Sequence, residues 1–505
     1  MRMKVALKGL VLAVAAVTLT ACSGGVVPEP TKSPEAVPAE YQPYYSQTLE
    51  WTECHDGMQC ATAIAPLDWN KPTGETIELA LVRHPATSSK KLGSLFVNPG
   101  GPGASGVSFI ADSLDYAVSG AVQKNYDVIG FDPRGVGAST PVVCVDSAAQ
   151  MDEFLFGTLD AVRESPEWFA QRGAASKEFA DGCAQRTGEL LAHVDTVSAA
   201  HDLDMLRATV GDRELNYLGY SYGTLLGAIY AENFPGNVGR MVLDGALDPS
   251  SSSFDVNLTQ AIGFENALRA YLKDCLEGSE CPFSGSVDSA MTQIGDLLAG
   301  LDQSPITASE GRMLSSDAML TAIIAPLYNK DAWSYLSDVF TAVFDGDADP
   351  AFGAVDWYYN RSEDGTYSDN STESFLAINC LDYPVNSDPA QWASDAKVLA
   401  DKAPVIGPYL SYGDQLCSEW PYKAVMTPQK VSAQGAGDIL VIGTTGDPAT
   451  PYRWAKALAA QLEGGHLISY TGQGHTAYNK SNACVNDAVD GFLLRGKVPA
   501  QDPKC

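Results

Sequence analysis

The sequence has 505 residues, 45% of them hydrophobic, so the chain can bury a large core and is long for a single domain. Its 62 acidic residues outnumber its 32 basic ones and give a formal net charge of -30 at pH 7. Such an acidic surface repels phosphate backbones, which argues against a nucleic-acid-binding protein.

The N-terminus has the pattern of an export signal. Three basic residues within the first eight are followed by a mostly apolar run over 11–19, which is too short to cross a bilayer as a stable helix. The run ends in Leu-Thr-Ala-Cys at Cys22, which resembles a bacterial lipobox. We therefore predict a signal peptide over 1–21 and a lipid on Cys22 that anchors the exported chain to the bacterial cell membrane. An ordinary secretory signal is the alternative, and a released form stays open.

A proline-rich segment follows the predicted lipidation site. Residues 23–43 contain five prolines among Gly, Ser, Glu and Ala, a composition that does not build a hydrophobic core. We therefore predict a tether over 22–50, with the globular region beginning at Trp51. After the leader, no run of 18 or more apolar residues predicts a further membrane crossing.

Cysteine usage also points to export. Ten cysteines remain besides Cys22, and an even number in an exported chain suggests five disulfides. They are Cys54, Cys60, Cys144, Cys183, Cys275, Cys281, Cys380, Cys417, Cys484 and Cys505. Pairing neighbours in order would close only short loops, but the sequence does not determine the connectivity. No Cys or His spacing matches a zinc site, so we expect no metal.

Short apolar segments alternate with helical patterns along much of the chain. Two strands are predicted over 61–69 and 75–84, separated by a Pro-Gly turn. Further strands are predicted over 92–97, 126–131, 215–219, 241–244, 439–443 and 467–470. Helices are predicted over 224–233 and after Thr196, which we expect to be the N-cap. This alternation predicts an α/β fold with a mostly parallel sheet covered by helices on both faces.

The alternation stops between residues 249 and 432. This stretch is rich in helical patterns, aromatic residues and cysteines. Because it lies between two strands of the sheet, we predict that it is an inserted, mainly helical cap over a site. The sheet domain would then consist of residues 51–248 and 433–505. An independent domain without a role at the site is the alternative.

The motif Gly-Tyr-Ser-Tyr-Gly over 219–223 matches G-x-S-x-G. In this motif a strand turns sharply into a helix, and the flanking glycines are needed because side chains there would clash. A strand pattern precedes the motif and a helix pattern follows it. The context therefore predicts that Ser221 is a nucleophile exposed at the carboxyl edge of the sheet.

A serine nucleophile needs a base and a carboxylate that orients the base. Only His466 and His475 follow Ser221 in the sequence. His475 follows a predicted strand and so lies at the carboxyl edge, whereas His466 begins that strand and is expected to have a surface role. Asp447 also follows a strand and shares the edge with Ser221. We therefore predict the order Ser221, Asp447 and His475 for nucleophile, acid and base.

An oxyanion formed at Ser221 would need two N–H donors. The first is expected to be the backbone of Tyr222, and the second to come from the Asn-Pro-Gly-Gly-Pro-Gly loop over 98–103, with Gly101 preferred. The loop fits neither phosphate-binding glycine pattern. A plain turn is the alternative. These groups can act without any metal or organic cofactor.

These motifs resemble the prolyl iminopeptidase and tripeptidyl aminopeptidase family of α/β-hydrolases. The similarity is carried by Pro-Gly-Gly-Pro-Gly over 99–103, Asp-Pro-Arg-Gly-Val-Gly-Ala-Ser over 132–139, the motif at Ser221, Asp-Pro-Ala-Thr-Pro over 447–451 and Gly-His at 474–475. It is closest to exported tripeptidyl aminopeptidases. The resemblance implies a capped α/β-hydrolase that releases short peptides from free N-termini, with Gly101 and Tyr222 as the oxyanion hole and Thr450 as a substrate-binding residue that helps to shape the site.

The sequence departs from this family pattern at one position. Prolyl iminopeptidases have His before the double glycine, whereas this chain has Pro99. This difference favours the tripeptidyl branch, although it also fits an esterase. An aminopeptidase needs a carboxylate for the substrate's ammonium group, and Asp382 in the cap is our candidate. A turn or capping residue beside a disulfide is the alternative for Asp382.

Three other functions fit the same motifs. An esterase would use the same three residues, because specificity depends on the cap and the pocket. A hydrolase of small esters or amides, such as an antibiotic, also stays open. A lipid-anchored binding protein on an inactive scaffold is the third. The natural substrate, the peptide length removed and the oligomeric state are not determined by the sequence.

Overall fold

The structure, a computed structural model, describes residues 36–505. The predicted signal peptide, the predicted lipidation site Cys22 and the first part of the predicted tether lie outside these residues. Among the residues described, no helix combines the length and the apolar character that a membrane span requires.

The sequence predicted that the folded part begins at Trp51, but in the structure it begins earlier. A short helix, Gln42–Tyr45, contributes two buried tyrosines to the core. The Tyr41 hydroxyl donates to the Trp69 carbonyl at 2.9 Å, and the Tyr45 hydroxyl donates to Asp204 at 3.0 Å. The proline-based prediction was wrong for this stretch because aromatic burial, and not proline content, decides its structure.

Eleven strands are found in residues 36–505. They are β1 Thr52–Glu53, β2 Gln59–Pro66, β3 Thr76–His84, β4 Ser94–Asn98, β5 Asp127–Phe131, β6 Leu215–Tyr220, β7 Val238–Asp244, β8 Ile306–Thr307, β9 Met313–Leu314, β10 Ile439–Gly446 and β11 Gly465–Gln473. Strands β8 and β9 form a small hairpin, and the other nine form one sheet.

The large sheet has the order β1-β2-β3-β5-β4-β6-β7-β10-β11. The pairs β1/β2, β2/β3 and β3/β5 are antiparallel. From β5 to β11 all neighbouring strands are parallel. The carboxyl ends of β4, β6, β7, β10 and β11 therefore meet at one edge, which is where the candidate functional residues were predicted.

Seventeen α-helices accompany these strands in the described part of the chain. They are α1 Gln42–Tyr45, α2 Gly106–Ala117, α3 Gly120–Asn125, α4 Ala148–Phe156, α5 Pro166–Thr187, α6 Thr196–Thr209, α7 Tyr222–Asn233, α8 Ser253–Glu277, α9 Val287–Gln303, α10 Ser316–Leu327, α11 Trp333–Phe344, α12 Asp349–Tyr358, α13 Ser371–Asp382, α14 Pro389–Lys402, α15 Asp414–Ser418, α16 Tyr452–Gln461 and α17 Ala483–Arg495. Short 3-10 turns cover Gly188–Ala192, Pro235–Asn237, Lys330–Ala332 and Gly407–Tyr409.

The sheet has one hydrophobic core on each face, because side chains along a strand alternate between faces. On β4, Phe96 packs in the core formed with α6, α7 and α16. Its neighbours Leu95 and Val97 pack in the core formed with α2, α3 and α17. The five-residue strands β4 and β5 are buried throughout. This arrangement confirms the predicted α/β fold with helices on both faces.

Helix α6 begins one residue earlier than the sequence suggested. Asp195, and not Thr196, is the N-cap, and its carboxylate accepts a hydrogen bond from the Ser198 N–H at 2.9 Å. A carboxylate at this position also interacts favourably with the positive end of the helix dipole. The Thr196 hydroxyl is consequently free for another contact, described below.

The chain between β7 and β10 contains α8 to α15 and the β8–β9 hairpin. It has a separate hydrophobic core, built around residues such as Leu268, Ile323 and Phe340. Phe156 at the end of α4 packs into the same core. We call the helices between β7 and β10 the helical layer. Helix α4 extends this layer through Phe156, and α5 extends it through Trp168, which packs with Trp392 and Ala396 of α14. The sequence did not reveal that these two helices, which lie between β5 and β6, join the layer.

Five disulfides join consecutive cysteines along the chain. The pairs are Cys54–Cys60, Cys144–Cys183, Cys275–Cys281, Cys380–Cys417 and Cys484–Cys505. The neighbour pairing considered from the sequence is thus the one that the structure contains. Cys275–Cys281 and Cys380–Cys417 lie between β7 and β10, and the second of them joins α13 to α15. Cys484–Cys505 holds the C-terminus against α17.

Candidate active site

Ser221 lies at the sharp turn between β6 and α7, with φ 54° and ψ -123°. A positive φ is uncommon in residues other than glycine, and backbone strain of this kind clusters at active sites. A Cβ on Gly219 would lie 2.3 Å from the Gly223 carbonyl oxygen, and one on Gly223 would lie 2.8 Å from Asn98 Oδ1. Both flanking glycines are therefore required by close packing, as the motif predicted.

The glycine-rich loop after β4 packs directly on this turn. Gly100 has φ 101°, and a Cβ there would lie 2.6 Å from the Tyr220 carbonyl oxygen and 3.1 Å from the Tyr222 nitrogen. The Gly100 N–H donates to Asn98 Oδ1 at 2.9 Å, which fixes the start of the loop. Gly101 follows and lines the same cavity as Ser221. The two backbone segments predicted to supply N–H donors are thus in contact.

His475 and Asp447 form a pair at the same edge of the sheet. His475 Nδ1 lies 2.9 Å from Asp447 Oδ2 and 3.0 Å from Oδ1. The Asp447 side chain is fully buried, whereas the His475 ring lines the cavity. A base that faces the cavity, with its other ring nitrogen held by a buried carboxylate, has the geometry of a general base.

Thr450 supports this pair and does not line the cavity. Its N–H and hydroxyl donate to Asp447 at 2.9 and 3.0 Å, and its Oγ1 lies 3.2 Å from His475 Nδ1. Thr450 therefore shapes the site indirectly, by holding Asp447 and His475 in place. Direct contact of Thr450 with substrate, which the sequence interpretation allowed, does not fit its buried position.

Asp244 is a buried residue of the site that sequence reasoning missed. It ends β7, and its main-chain carbonyl accepts from the Ser221 N–H at 2.9 Å. Its carboxylate accepts from Ala477 N at 2.9 Å and from Tyr478 N at 2.7 Å. Burial raises the pKa of this carboxyl, and the two N–H donors oppose the shift. The sequence did contain a signal for this residue, because Asp244 is an acid at the carboxyl end of the strand predicted over 241–244.

A residue just after α10 contacts the histidine loop from the helical layer. The His475 N–H donates to the Tyr328 carbonyl at 2.8 Å, and the two rings meet edge to face with centroids 5.4 Å apart. Tyr328 also lines the cavity. The helical layer is therefore in direct contact with the candidate base.

The cavity above the sheet edge has a volume of about 1630 Å³. This exceeds the roughly 300–1,000 Å³ of typical small-molecule sites and can accommodate several residues of a peptide. Its wall comes from the loop at Gly101, from α4 and α5, and from several helices between β7 and β10. Aromatic side chains on the wall include Phe264, Tyr328, Trp357, Tyr358 and Phe375.

Asp382 does not lie on the cavity wall, contrary to the sequence prediction that it binds a substrate amine. It is 1% exposed, at the end of α13, and accepts from the Thr196 N–H at 2.8 Å and the Thr196 hydroxyl at 2.5 Å. Thr196 Oγ1 in turn contacts the Tyr222 hydroxyl. Burial raises the pKa of the Asp382 carboxyl to about 8, against these hydrogen bonds. Its contacts are those of a structural residue.

The surface histidine has the role that the sequence suggested. His466 Nε2 lies 2.8 Å from Asp438 Oδ1, at the opposite end of β10 and β11 from His475. Within residues 36–505, Cys54, His55 and Cys60 are the one group of metal-ligating side chains close enough to share an ion. The two sulfurs are joined in a disulfide and are not available as thiolate ligands.

A serine at a strained strand-to-helix turn, a glycine loop packed on it and a His–Asp pair at the same edge of a parallel sheet define a class. That class is the serine hydrolases of the α/β-hydrolase fold.

Comparison with known proteins identifies the family. A family model described as "TAP-like protein" matches residues 403–505. The chain is 36% identical to serine protease Hip1 of Mycobacterium tuberculosis over 92% of both chains. It is also 36% identical to carboxylesterase B of the same species, over 94% of this chain and 93% of that one. Tripeptidyl aminopeptidase of Streptomyces lividans is 31% identical, over 90% of this chain and 86% of its own.

The protein therefore belongs to the tripeptidyl aminopeptidase-like family of α/β-hydrolases, and it is a serine hydrolase. The family resemblance and the fold expected from the sequence are both confirmed. A solved structure of an epoxide hydrolase from an endophytic Streptomyces is also similar, with 14% identity and a TM-score of 0.37 over 89% of this chain and 100% of that one.

Proposed function

We propose that this protein is an extracytoplasmic serine exopeptidase that releases short peptides, tripeptides above all, from free N-termini. The observation that carries the proposal is the arrangement of Ser221, Gly101 and His475 around one large cavity under a helical layer. The 31% identity to a tripeptidyl aminopeptidase supports the same activity. A covered cavity suits an exopeptidase, because it admits a chain end more readily than the middle of a folded protein.

In the proposed mechanism, the Ser221 hydroxyl attacks the scissile carbonyl while His475 takes its proton. Asp447 holds the imidazole in the required tautomer and stabilises its cation. The N–H groups of Gly101 and Tyr222 bind the oxyanion, each contributing about 3 kcal/mol in related chemistry. His475 then protonates the leaving amine, and water releases the peptide from Ser221. The protein's own residues suffice for each step.

Selectivity for a free N-terminus requires a carboxylate on the cavity wall. The wall acids are Glu153, Glu178, Asp181, Asp302 and Asp317. Three of them are in ion pairs with arginine or lysine. Within residues 36–505, Glu153 and Glu178 have no such partner. We expect one of these two to bind the substrate's ammonium group, in place of Asp382.

The proposed location is the outer face of the bacterial cell membrane, with the chain anchored by a lipid on Cys22. The support is the leader over 1–21 and the motif that ends at Cys22. Five disulfides suit an oxidising compartment outside the cytoplasm. Mass spectrometry and membrane fractionation test this location. We expect the wild-type protein to carry the added mass of a lipid and to fractionate with membranes, and we expect Cys22→Ser to do neither.

Esterase activity is the second candidate function, and the 36% identity to carboxylesterase B favours it specifically. The mechanism at Ser221 would be the same, because ester and amide hydrolysis share the acyl-enzyme step. The difference would lie in the wall: an esterase has no need for a carboxylate that binds an amine.

One assay separates the two candidates. The protein is tested with a fluorogenic tripeptide amide that has a free N-terminus, with its N-acetylated form and with a butyrate ester, alongside Ser221→Ala. Cleavage of the free tripeptide amide far faster than its acetylated form, with an intact tripeptide as product, is the expected result. Cleavage of the ester alone would remove the peptidase proposal and leave the esterase.

A further inference from the structure

Four cationic side chains line the cavity that contains Ser221, namely Arg163, Arg172, Lys177 and Arg186. Three of them are in ion pairs with carboxylates. These pairs are Arg163–Asp302, Arg163–Asp317, Lys177–Asp181 and Arg186–Asp146. Arg172 is the exception: no carboxylate of residues 36–505 lies within ion-pair distance of it.

Arg172 lies in α5, with its guanidinium over the Trp168 ring at 5.2 Å from the ring centroid. Arg163 lies over the same ring at 5.5 Å. Asp317 and Arg163 act on the pKa of Arg172 at longer range and in opposite directions. Desolvation lowers the pKa of the Arg172 guanidinium, which still carries its charge because arginine does not deprotonate in proteins.

A half-buried guanidinium without an acceptor is costly to maintain in a folded protein. Its five N–H donors lose part of their hydration and gain no protein partner among residues 36–505. The stacking on Trp168 recovers only part of this cost. The fixed planar fork of N–H groups instead suits a carboxylate, which it can bind through two parallel hydrogen bonds.

We propose that Arg172 binds a carboxylate of the peptide substrate and so makes the enzyme selective for peptides that carry a negative charge on the part of the chain held in the cavity. This inference rests on the proposed peptidase function, because the guanidinium lines the same cavity as Ser221. The remainder of the wall is consistent with it: the other three cations are already neutralised, so Arg172 is the one that gains most from an anionic ligand.

The carboxylate can come from two parts of a peptide. It can be the side chain of Glu or Asp in the released tripeptide, or the C-terminal carboxylate of a short peptide whose far end stays in the cavity. Both present the same planar anion to Arg172. The experiment below has one arm for each source.

The first arm uses tripeptide amides with free N-termini that carry Glu or Gln at each of the three positions in turn. The second arm uses a pentapeptide with a C-terminal acid and its C-terminal amide, followed by mass spectrometry of the products. We expect kcat/KM to be about tenfold or more higher for the charged member of one matched pair, mainly through KM. Arg172→Met keeps an apolar side chain over Trp168. It should abolish this preference and leave kcat/KM for the neutral member of the pair nearly unchanged.

Two further variants make the result specific. Arg172→Lys should restore part of the preference, because it keeps the charge but loses the planar fork. Lys177→Met removes a wall cation that already pairs with Asp181, and it should leave the preference unchanged. Cleavage of the neutral peptides and fluorophosphonate labelling show that each variant is folded.

The outcomes separate this inference from the proposed function. Equal cleavage of the charged and neutral members of every pair by the wild-type protein would overturn the role of Arg172 while leaving the peptidase intact. If Lys177→Met lost as much of the preference as Arg172→Met, the inference would also be overturned. The preference would then come from the overall positive potential of the cavity wall and not from a binding site at Arg172. Failure to cleave any free peptide, with ester cleavage retained, would remove the proposed peptidase itself.

Discussion

The main-chain carbonyl of Asp244 accepts a hydrogen bond from the Ser221 N–H at 2.9 Å. The carboxylate of the same residue holds the loop that follows the histidine, through the N–H groups of Ala477 and Tyr478. One residue at the end of β7 therefore fixes the relative position of the proposed nucleophile and the proposed base. Rigid placement of such groups supports catalysis, because small displacements cost large factors in rate.

The first prediction concerns this connection. Asp244→Asn keeps the main-chain contact with Ser221 but replaces one carboxylate oxygen by an NH2 group. A single oxygen is then left to accept from Ala477 and Tyr478, the second bond from the Ala477 N–H is lost, and an NH2 donor faces that N–H instead. We expect a loss of about 1–3 kcal/mol in the free energy of unfolding and a fall in kcat larger than any change in KM. Urea denaturation and steady-state kinetics measure the two effects. Asp438→Asn, a surface change beside His466, is the control, and equal behaviour of the two variants would contradict the proposed role.

The second prediction concerns the glycine loop. A Cβ at Gly100 would lie 2.6 Å from the Tyr220 carbonyl oxygen, at a φ of 101° that alanine tolerates poorly. Gly100→Ala should therefore displace the Gly101 N–H and lower kcat by about 100-fold, the usual effect of losing one oxyanion donor. The matched control is Gly120→Ala in α3, where an added Cβ meets nothing within 4 Å. Unchanged kcat in Gly100→Ala would show that the loop has no part in the reaction.

The third prediction concerns the support behind the histidine. Thr450→Val keeps the size of the side chain but removes the hydroxyl that contacts Asp447 and His475. We expect kcat to fall about tenfold, which corresponds to about 1.4 kcal/mol, with KM nearly unchanged because Thr450 does not line the cavity. Thr450→Ser should recover most of the rate. A rise in KM with kcat unchanged would instead indicate direct contact with substrate.

The fourth prediction follows from the raised pKa of Asp382. Its carboxyl has a pKa of about 8 in the folded protein against an ordinary value near 3.8. Between about pH 4 and 8 the folded state binds more protons than the unfolded state, so the free energy of unfolding falls as pH rises through this window. Asp382→Asn removes this dependence, while its amide still bonds to Thr196.

The stability gained by Asp382→Asn should therefore grow from pH 5 to pH 8, by at most roughly 1.4 kcal/mol per pH unit. Its KM for free tripeptides should match the wild-type value, because Asp382 is not on the cavity wall. Denaturation at several pH values and one kinetic comparison test both statements. A strong rise in KM limited to peptides with a free amine would restore Asp382 as the amine-binding residue.

The residues that the sequence could locate are those set by local rules. Ser221 follows from a five-residue pattern whose glycines are needed for close packing, and Asp447 and His475 follow from strands that end just before them. The parallel sheet follows from short apolar runs separated by helices. In each case a short stretch of chain contains the whole physical reason.

The residues that the sequence missed depend on distant partners. Asp244 holds a loop more than 230 positions further on, and Tyr328 reaches His475 from the helical layer. Asp382 was wrongly predicted to be an acid of the cleft. The sequence does not show that its carboxylate is buried against Thr196. Arg172 is distinguished from the other three cations on the cavity wall by having no ion-pair partner within residues 36–505. This property exists only in the folded chain.

The most direct test of the central claim is labelling with a fluorophosphonate probe, followed by peptide mass spectrometry. The claim is that Ser221 is the nucleophile and that His475 activates it. We predict a single labelled peptide that contains Ser221 in the wild-type protein, no label in Ser221→Ala, and labelling at least 100-fold slower in His475→Ala, within the range set by loss of a general base. Label on another serine, or undiminished labelling in His475→Ala, would contradict the account.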